Sequence, residues 1–98
     1  MVIARVKGTV VSTNKADKIQ GFKLLVLKPI DLDTMEEKGT MLVGVDTVGA
    51  GVGEVVMTVA GSSSRQTEKT DGRPVDCSVI AIIDHIDIEG KRVFEKFN

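Results

Sequence analysis

Aromatic residues are nearly missing from this chain. Tryptophan and tyrosine are absent, and Phe22, Phe94 and Phe97 make up the whole 3%. Two of the three fall in the tail, so the central strands offer no platform on which nucleic-acid bases could stack. No long basic run appears either. The 13 basic residues stand against 14 acidic ones, for a formal net charge of -1. Binding to a phosphate backbone rests on clustered Lys and Arg, so no nucleic-acid partner is expected. Cys77 is the single cysteine. An internal disulfide is excluded, and a reducing, cytoplasmic compartment is expected. No stretch approaches about 18 uncharged apolar residues, so no membrane-spanning helix is expected. Met1 to Ala4 are followed at once by Arg5 and Lys7, which is too short an apolar core for a secretory signal.

His85 is the only histidine. It stands between Asp84 and Asp87, and on a strand it would share a face with Asp87 alone. One histidine and one carboxylate make no metal cage without a third ligand. A serine–histidine triad would also have to use His85. No catalytic residue, metal or cofactor is assigned.

What is present is aliphatic. Hydrophobic residues are 42% of the 98, carried by Val, Ile, Leu, Ala and Met. These favour strands and close packing, and the length suits one domain over residues 1–98. Alternating patterns predict strands at 2–13, 22–30, 40–46, 54–60 and 77–88. A short tail strand, RVFEKF, follows a turn at Glu89, Gly90 and Lys91, and the region 86–98 is the least constrained. Gly8 in mid-strand predicts a bend or bulge. On the first strand Val2, Ala4, Val6, Gly8 and Val10 are expected to face inward together. The segment 31–39 reads as a solvated connection with a single helical turn. The segment GSSSR at 61–65 reads as a turn or the cap of a short helix. The fold class is therefore all-β: a small five-stranded OB-like barrel with a short helical turn and a C-terminal tail strand. A sandwich is the competing architecture.

The centre of the pattern is VDTVGAGVGEVVMTVAGSSSR. Gly49, Gly51 and Gly53 alternate through GAGVGE. A dinucleotide fingerprint would need GxGxxG leading into a helix, but EVVMTVA reads as a strand. The phosphate-loop ending GK[ST] is missing too. A tight structural turn formed by Gly49, Ala50, Gly51, Val52 and Gly53 is the better reading. Glu54 follows it as a lone carboxylate, without the partner that acid–base catalysis requires. A hydrogen-bonded or ion-paired Glu54 is expected. GSSSR lacks the final glycine of a GxSxG nucleophile elbow. Ser62, Ser63 and Ser64 read as caps and turn donors, and Arg65 as a carboxylate partner at an interface.

Two strands are apolar on both faces, at 24–27 and 79–83. On the last strand Val79, Ala81 and Ile83 are expected on one face and Ile80 and Ile82 on the other. A single-layer barrel needs only one dry face. A second copy of the chain covers the other, or the long loops do. Self-association is the reading preferred here, because no amphipathic helix is long enough to cover it.

The joint pattern of MVIARVKGTVVST, KLLVL, D-x-V-G-A-G-x-G-E, GSSSR and RPVDCSVIAIID resembles the EutN/CcmL family of bacterial microcompartment shell vertex proteins. The match runs over residues 1–84. The resemblance implies a five-stranded barrel that forms a homopentamer. It also implies a structural, non-enzymatic role at the vertices of a polyhedral shell, with hexameric shell proteins as partners on its facets. Carried onto this chain, Gly49 to Gly53 become a candidate lining of an axial opening. Glu54 and Ser62 to Arg65 become candidate subunit contacts. The alternative is a homo-oligomeric OB-like module binding a nucleic acid or a small ligand.

Overall fold

A computed structural model of the chain describes residues 1–11, 23–60 and 77–96. Among these residues eight strands run in the order β1 Val2–Val10, β2 Lys23–Asp31, β3 Glu36–Glu37, β4 Leu42–Asp46, β5 Val55–Ala60, β6 Cys77–Ile82, β7 His85–Ile88 and β8 Lys91–Glu95. Five of them form a circuit, β1–β5–β6–β4–β2, and the pairing of β1 with β2 closes it. This is the expected five-stranded OB-like barrel rather than a sandwich, and closure leaves its main strands no open edge. All its pairings are antiparallel except β4 with β6.

Inside lie Ala4, Val6, Leu25, Leu27, Val56 and Val79, all 0–1% exposed. Each comes from a β-branched, leucine or alanine position on the inner side of its strand. Gly44 leaves room where two walls come close. A methyl group there would sit 3.0 Å from Leu27 Cδ1 and 3.1 Å from Cys77 Sγ.

Two bulges correct the simple alternation expected from the sequence. On β1, Val6 pairs with Leu27 but Gly8 pairs with Val26, so Lys7 is the extra residue. The inward face therefore ends at Val6, and Val10 pairs with the outward Leu24. On β6, Val79 pairs with Thr58 and Ala81 with Met57, so Ile80 is the extra residue. Val79 and Ile82 consequently face inward and Ala81 outward. One unpaired residue moves every later side chain to the opposite face.

The last expected strand, 77–88, is two strands. The run leaves the barrel after Ile83, whose N–H donates to Val55 O at 2.8 Å. It re-forms as β7, which among the described residues pairs only with β8. Their two-residue turn has positive φ at both Glu89 (52°) and Gly90 (79°), as a primed hairpin turn requires. Before it, the 31–39 connection contains one helix-like bond, from Met35 N–H to Asp31 O at 2.6 Å. It also contributes β3, which the sequence did not suggest. There is no helix among the described residues.

Candidate functional site

The glycine turn bridges β4 and β5 and is anchored at both ends. Asp46 closes β4, and its side chain is 3% exposed. Its Oδ1 accepts the N–H groups of Val48 and Gly49, each at 3.0 Å. This is the aspartate-led turn that the D-x-V-G spelling encodes. Thr47 Oγ1 donates to Val79 O at 2.6 Å and ties the turn to β6. Gly49 follows with φ of 81°, a conformation costly for any residue with a β-carbon.

Ala50 is fully buried and belongs to the barrel core. The turn thus dips into the barrel end and comes out again. Its exposed members are Gly49, Val52 and Gly53. Gly51 to Glu54 form a tight turn in which Glu54 N–H donates to Gly51 O at 3.1 Å. Gly53 has φ of 92° at its third position, where a type II turn needs glycine. Gly53 N–H then donates to Val6 O, and Val6 N–H to Glu54 O, which splices the turn into β1.

Further charged side chains hold this backbone, directly or through a partner. Glu54 Oε1 accepts the Gly51 N–H at 2.6 Å, and its Oε2 meets Lys96 Nζ at 2.9 Å. The Lys96 ammonium, and after it the Gly51 N–H, hold the Glu54 carboxyl below its ordinary value of 4.5, because both favour the charged form. Lys23 Nζ donates to Ala50 O at 2.7 Å and stands 3.9 Å from Asp46 Oδ2. Arg5 Nη1 donates to Gly53 O at 2.7 Å, and its guanidinium lies 6.0 Å from the centre of the Phe94 ring, the outer reach of a cation–π contact. The β7–β8 tail is thereby latched to the turn through both Lys96 and Phe94.

Glu54 and the glycines therefore come together, as their sequence adjacency requires. Ser62, Ser63, Ser64 and Arg65 lie outside the described residues. Asp46 was not singled out from the sequence, although its spacing to Gly49 is the signal that could have found it. Lys23, Arg5 and Lys96 carried no such signal, since each reaches the turn from a strand or tail remote in sequence. His85 and Asp84 are exposed, and Asp87 is engaged by Arg92 at 3.0 Å. No cluster of metal-ligating side chains exists among the described residues. Burial pushes the Cys77 thiol up, so it stays protonated at neutral pH.

This arrangement presents a rigid, polar-stapled turn at one end of a barrel. It is built to hold a surface shape. Known proteins share that build. The family model described as "Ethanolamine utilisation protein EutN/carboxysome" matches residues 1–84. The carboxysome shell vertex protein CcmL of Synechococcus elongatus is 45% identical over 100 residues, which cover 98% of this chain and 96% of the relative. The solved CcmL of Gloeobacter violaceus superposes with a TM-score of 0.93 at 39% identity, over the whole of both chains. The pentameric microcompartment shell protein GrpN of Rhodospirillum rubrum gives 0.80 at 40% identity, covering 90% of this chain and 99% of that one.

Proposed function

The chain belongs to the EutN/CcmL family, and from that premise we propose that it is a structural subunit of a bacterial microcompartment shell. It acts as a homopentamer that caps the vertices of the polyhedron. It is not an enzyme. Its partners are its own copies and the hexameric shell proteins of the facets, and it works in the cytoplasm as part of the shell. The observation that carries this reading is the likeness of the entire barrel, turn included, to vertex proteins over nearly the full length of both.

The glycine turn fits the innermost position of such a ring. Gly49, Val52 and Gly53 are its exposed members and line the axial opening, while Ala50 anchors the turn in the core and Gly51 holds Glu54. Five bare carboxylates around an axis would repel one another. The Lys96 ammonium on each Glu54 removes that penalty. Ser62 to Arg65 supply a further subunit contact.

Native mass spectrometry at micromolar concentration tests the ring. Five chains of 10.5 kDa give an assembly of about 52 kDa, and a closed five-fold ring has one defined mass. Single chains would refute the reading. Val52→Asp tests the turn: five added charges near the axis weaken the ring, and an unchanged assembly would place the turn at the periphery. Mixing with hexameric shell proteins should turn open sheets or tubes into closed polyhedra.

A further inference from the structure

The β7–β8 hairpin is joined to the barrel by few contacts. Neither of its strands pairs with a barrel strand among the described residues. From His85 to Glu95 only Ile86 and Phe94 are half-buried, and the two are partners across the hairpin. Arg92 pairs within the hairpin, with Asp87 at 3.0 Å and Glu95 at 3.2 Å. The base is closed by Lys96 N–H, which donates to Asp84 O at 2.8 Å. At the other end a cleft of about 410 Å³ lies between the tip, at Ile88, Glu89 and Lys91, and the 32–35 segment. The hairpin is thus a small unit of its own, fixed at its base and with open space beside its tip.

Two side chains that anchor the base also hold the glycine turn. Glu54 meets Lys96 with one carboxylate oxygen and the Gly51 N–H with the other. Arg5 faces the Phe94 ring and donates to Gly53 O, with Glu37 at 3.4 Å from the same guanidinium. The two bridges therefore reach the turn on either side of Val52. A partly exposed ion pair and a cation–π contact at 6.0 Å are weak ties. Such ties open by local fluctuation, without unfolding of the barrel.

We propose that the hairpin is a latch on the glycine turn. Closed, it fixes Glu54 and Arg5, and through them Gly51 and Gly53. Lifted, it leaves Glu54 without its counter-charge and Arg5 without its ring, and the turn gains freedom at residues 51–53. The bond from Ile83 N–H to Val55 O stays as the hinge. The core is untouched, because Ala50 remains buried in it. Where the turn lines an axial opening, the latch sets the shape of that opening from the tail. This consequence rests on the axial reading above, whereas the coupling of hairpin to turn does not.

Amide hydrogen exchange on the full chain, read by mass spectrometry, tests the latch. The variants are Lys96→Met and Phe94→Ala, with Lys91→Met at the tip as the control. None of them alters the turn itself. Lys96→Met and Phe94→Ala should each speed exchange of the turn amides at 48–54 by about 5-fold, as the loss of one weak tie predicts. The interiors of β2 and β5 should exchange as in the native chain. Lys91→Met should leave the turn at its native rate. Lys96→Arg should keep the turn protected, since it retains a cation for the Glu54 carboxylate. A turn unchanged in both Lys96→Met and Phe94→Ala overturns the proposal. Faster exchange throughout β2 and β5 overturns it as well, since the tail would then support the whole fold. Native mass is measured on the same samples. Faster turn exchange that appears only once the assembly has come apart makes the tail a subunit contact and overturns the latch. A native chain that is itself single fails the pentameric reading instead, and its turn exchange still decides the latch.

Discussion

Glu54 offers the sharpest test of how the turn is held. Its side chain is 26% exposed and makes two contacts, one to Gly51 N–H and one to Lys96. Glu54→Gln keeps an oxygen for Gly51 but loses the charge. A hydrogen bond involving an ion contributes about 1.5–3 kcal/mol against about 1 for a neutral one, and partial exposure favours the low end. The expected loss is about 1 kcal/mol for Glu54→Gln. It rises to about 2 kcal/mol for Glu54→Ala, which leaves the Gly51 N–H without its carboxylate. The assay is urea unfolding at one fixed chain concentration, because an assembly's stability depends on it. The pH dependence gives the sign. The carboxyl lies below its ordinary 4.5 in the folded chain, so the unfolded state binds the proton first as pH falls. The stabilisation is complete above about pH 5 and fades as pH drops through the folded value. The gap between native and Glu54→Gln chains should thus be constant from neutral pH down to about pH 5 and shrink below about 4.5. A gap that stays unchanged to pH 3 would refute the role of ionisation. A Glu54→Ala chain within about 0.5 kcal/mol of native would refute the staple itself.

Gly53→Ala forces a β-carbon onto a φ of 92°. It should cost about 1–2 kcal/mol in the same unfolding assay, whereas Val52→Ala beside it should cost much less. Gly44→Ala places a methyl group 3.0 Å from Leu27 Cδ1 and 3.1 Å from Cys77 Sγ. With Leu27 fully buried, overpacking should cost about 1–3 kcal/mol. Adding Leu27→Val should relieve part of that cost in a double-mutant cycle, and strict additivity of the two would show that the site has slack.

The strands were legible because each carries its own signal. The apolar runs at 22–30 and 54–60 and the glycine-rich turn ahead of the second are local features. So is the aspartate two residues ahead of Val48, which marks a turn whatever surrounds it. The face of each later residue was not legible. Gly8 signalled the bulge on β1 but nothing signalled the one at Ile80, and only pairing shows that Val10 and Ala81 turn outward. The break at Asp84 also arose from strand pairing. Continuous apolar residues predicted one strand, and the barrel had room for only part of it.

Local chemistry in the sequence therefore determined the all-β class, the glycine turn and the carboxylate at its end, since backbone preference and alternation act over a few residues. Tertiary structure alone decided that Ala50 fills the core and that Lys23, Arg5 and Lys96 staple the turn. Those facts depend on which distant strands lie side by side, and closing a barrel sets that order through the pairing of every strand at once.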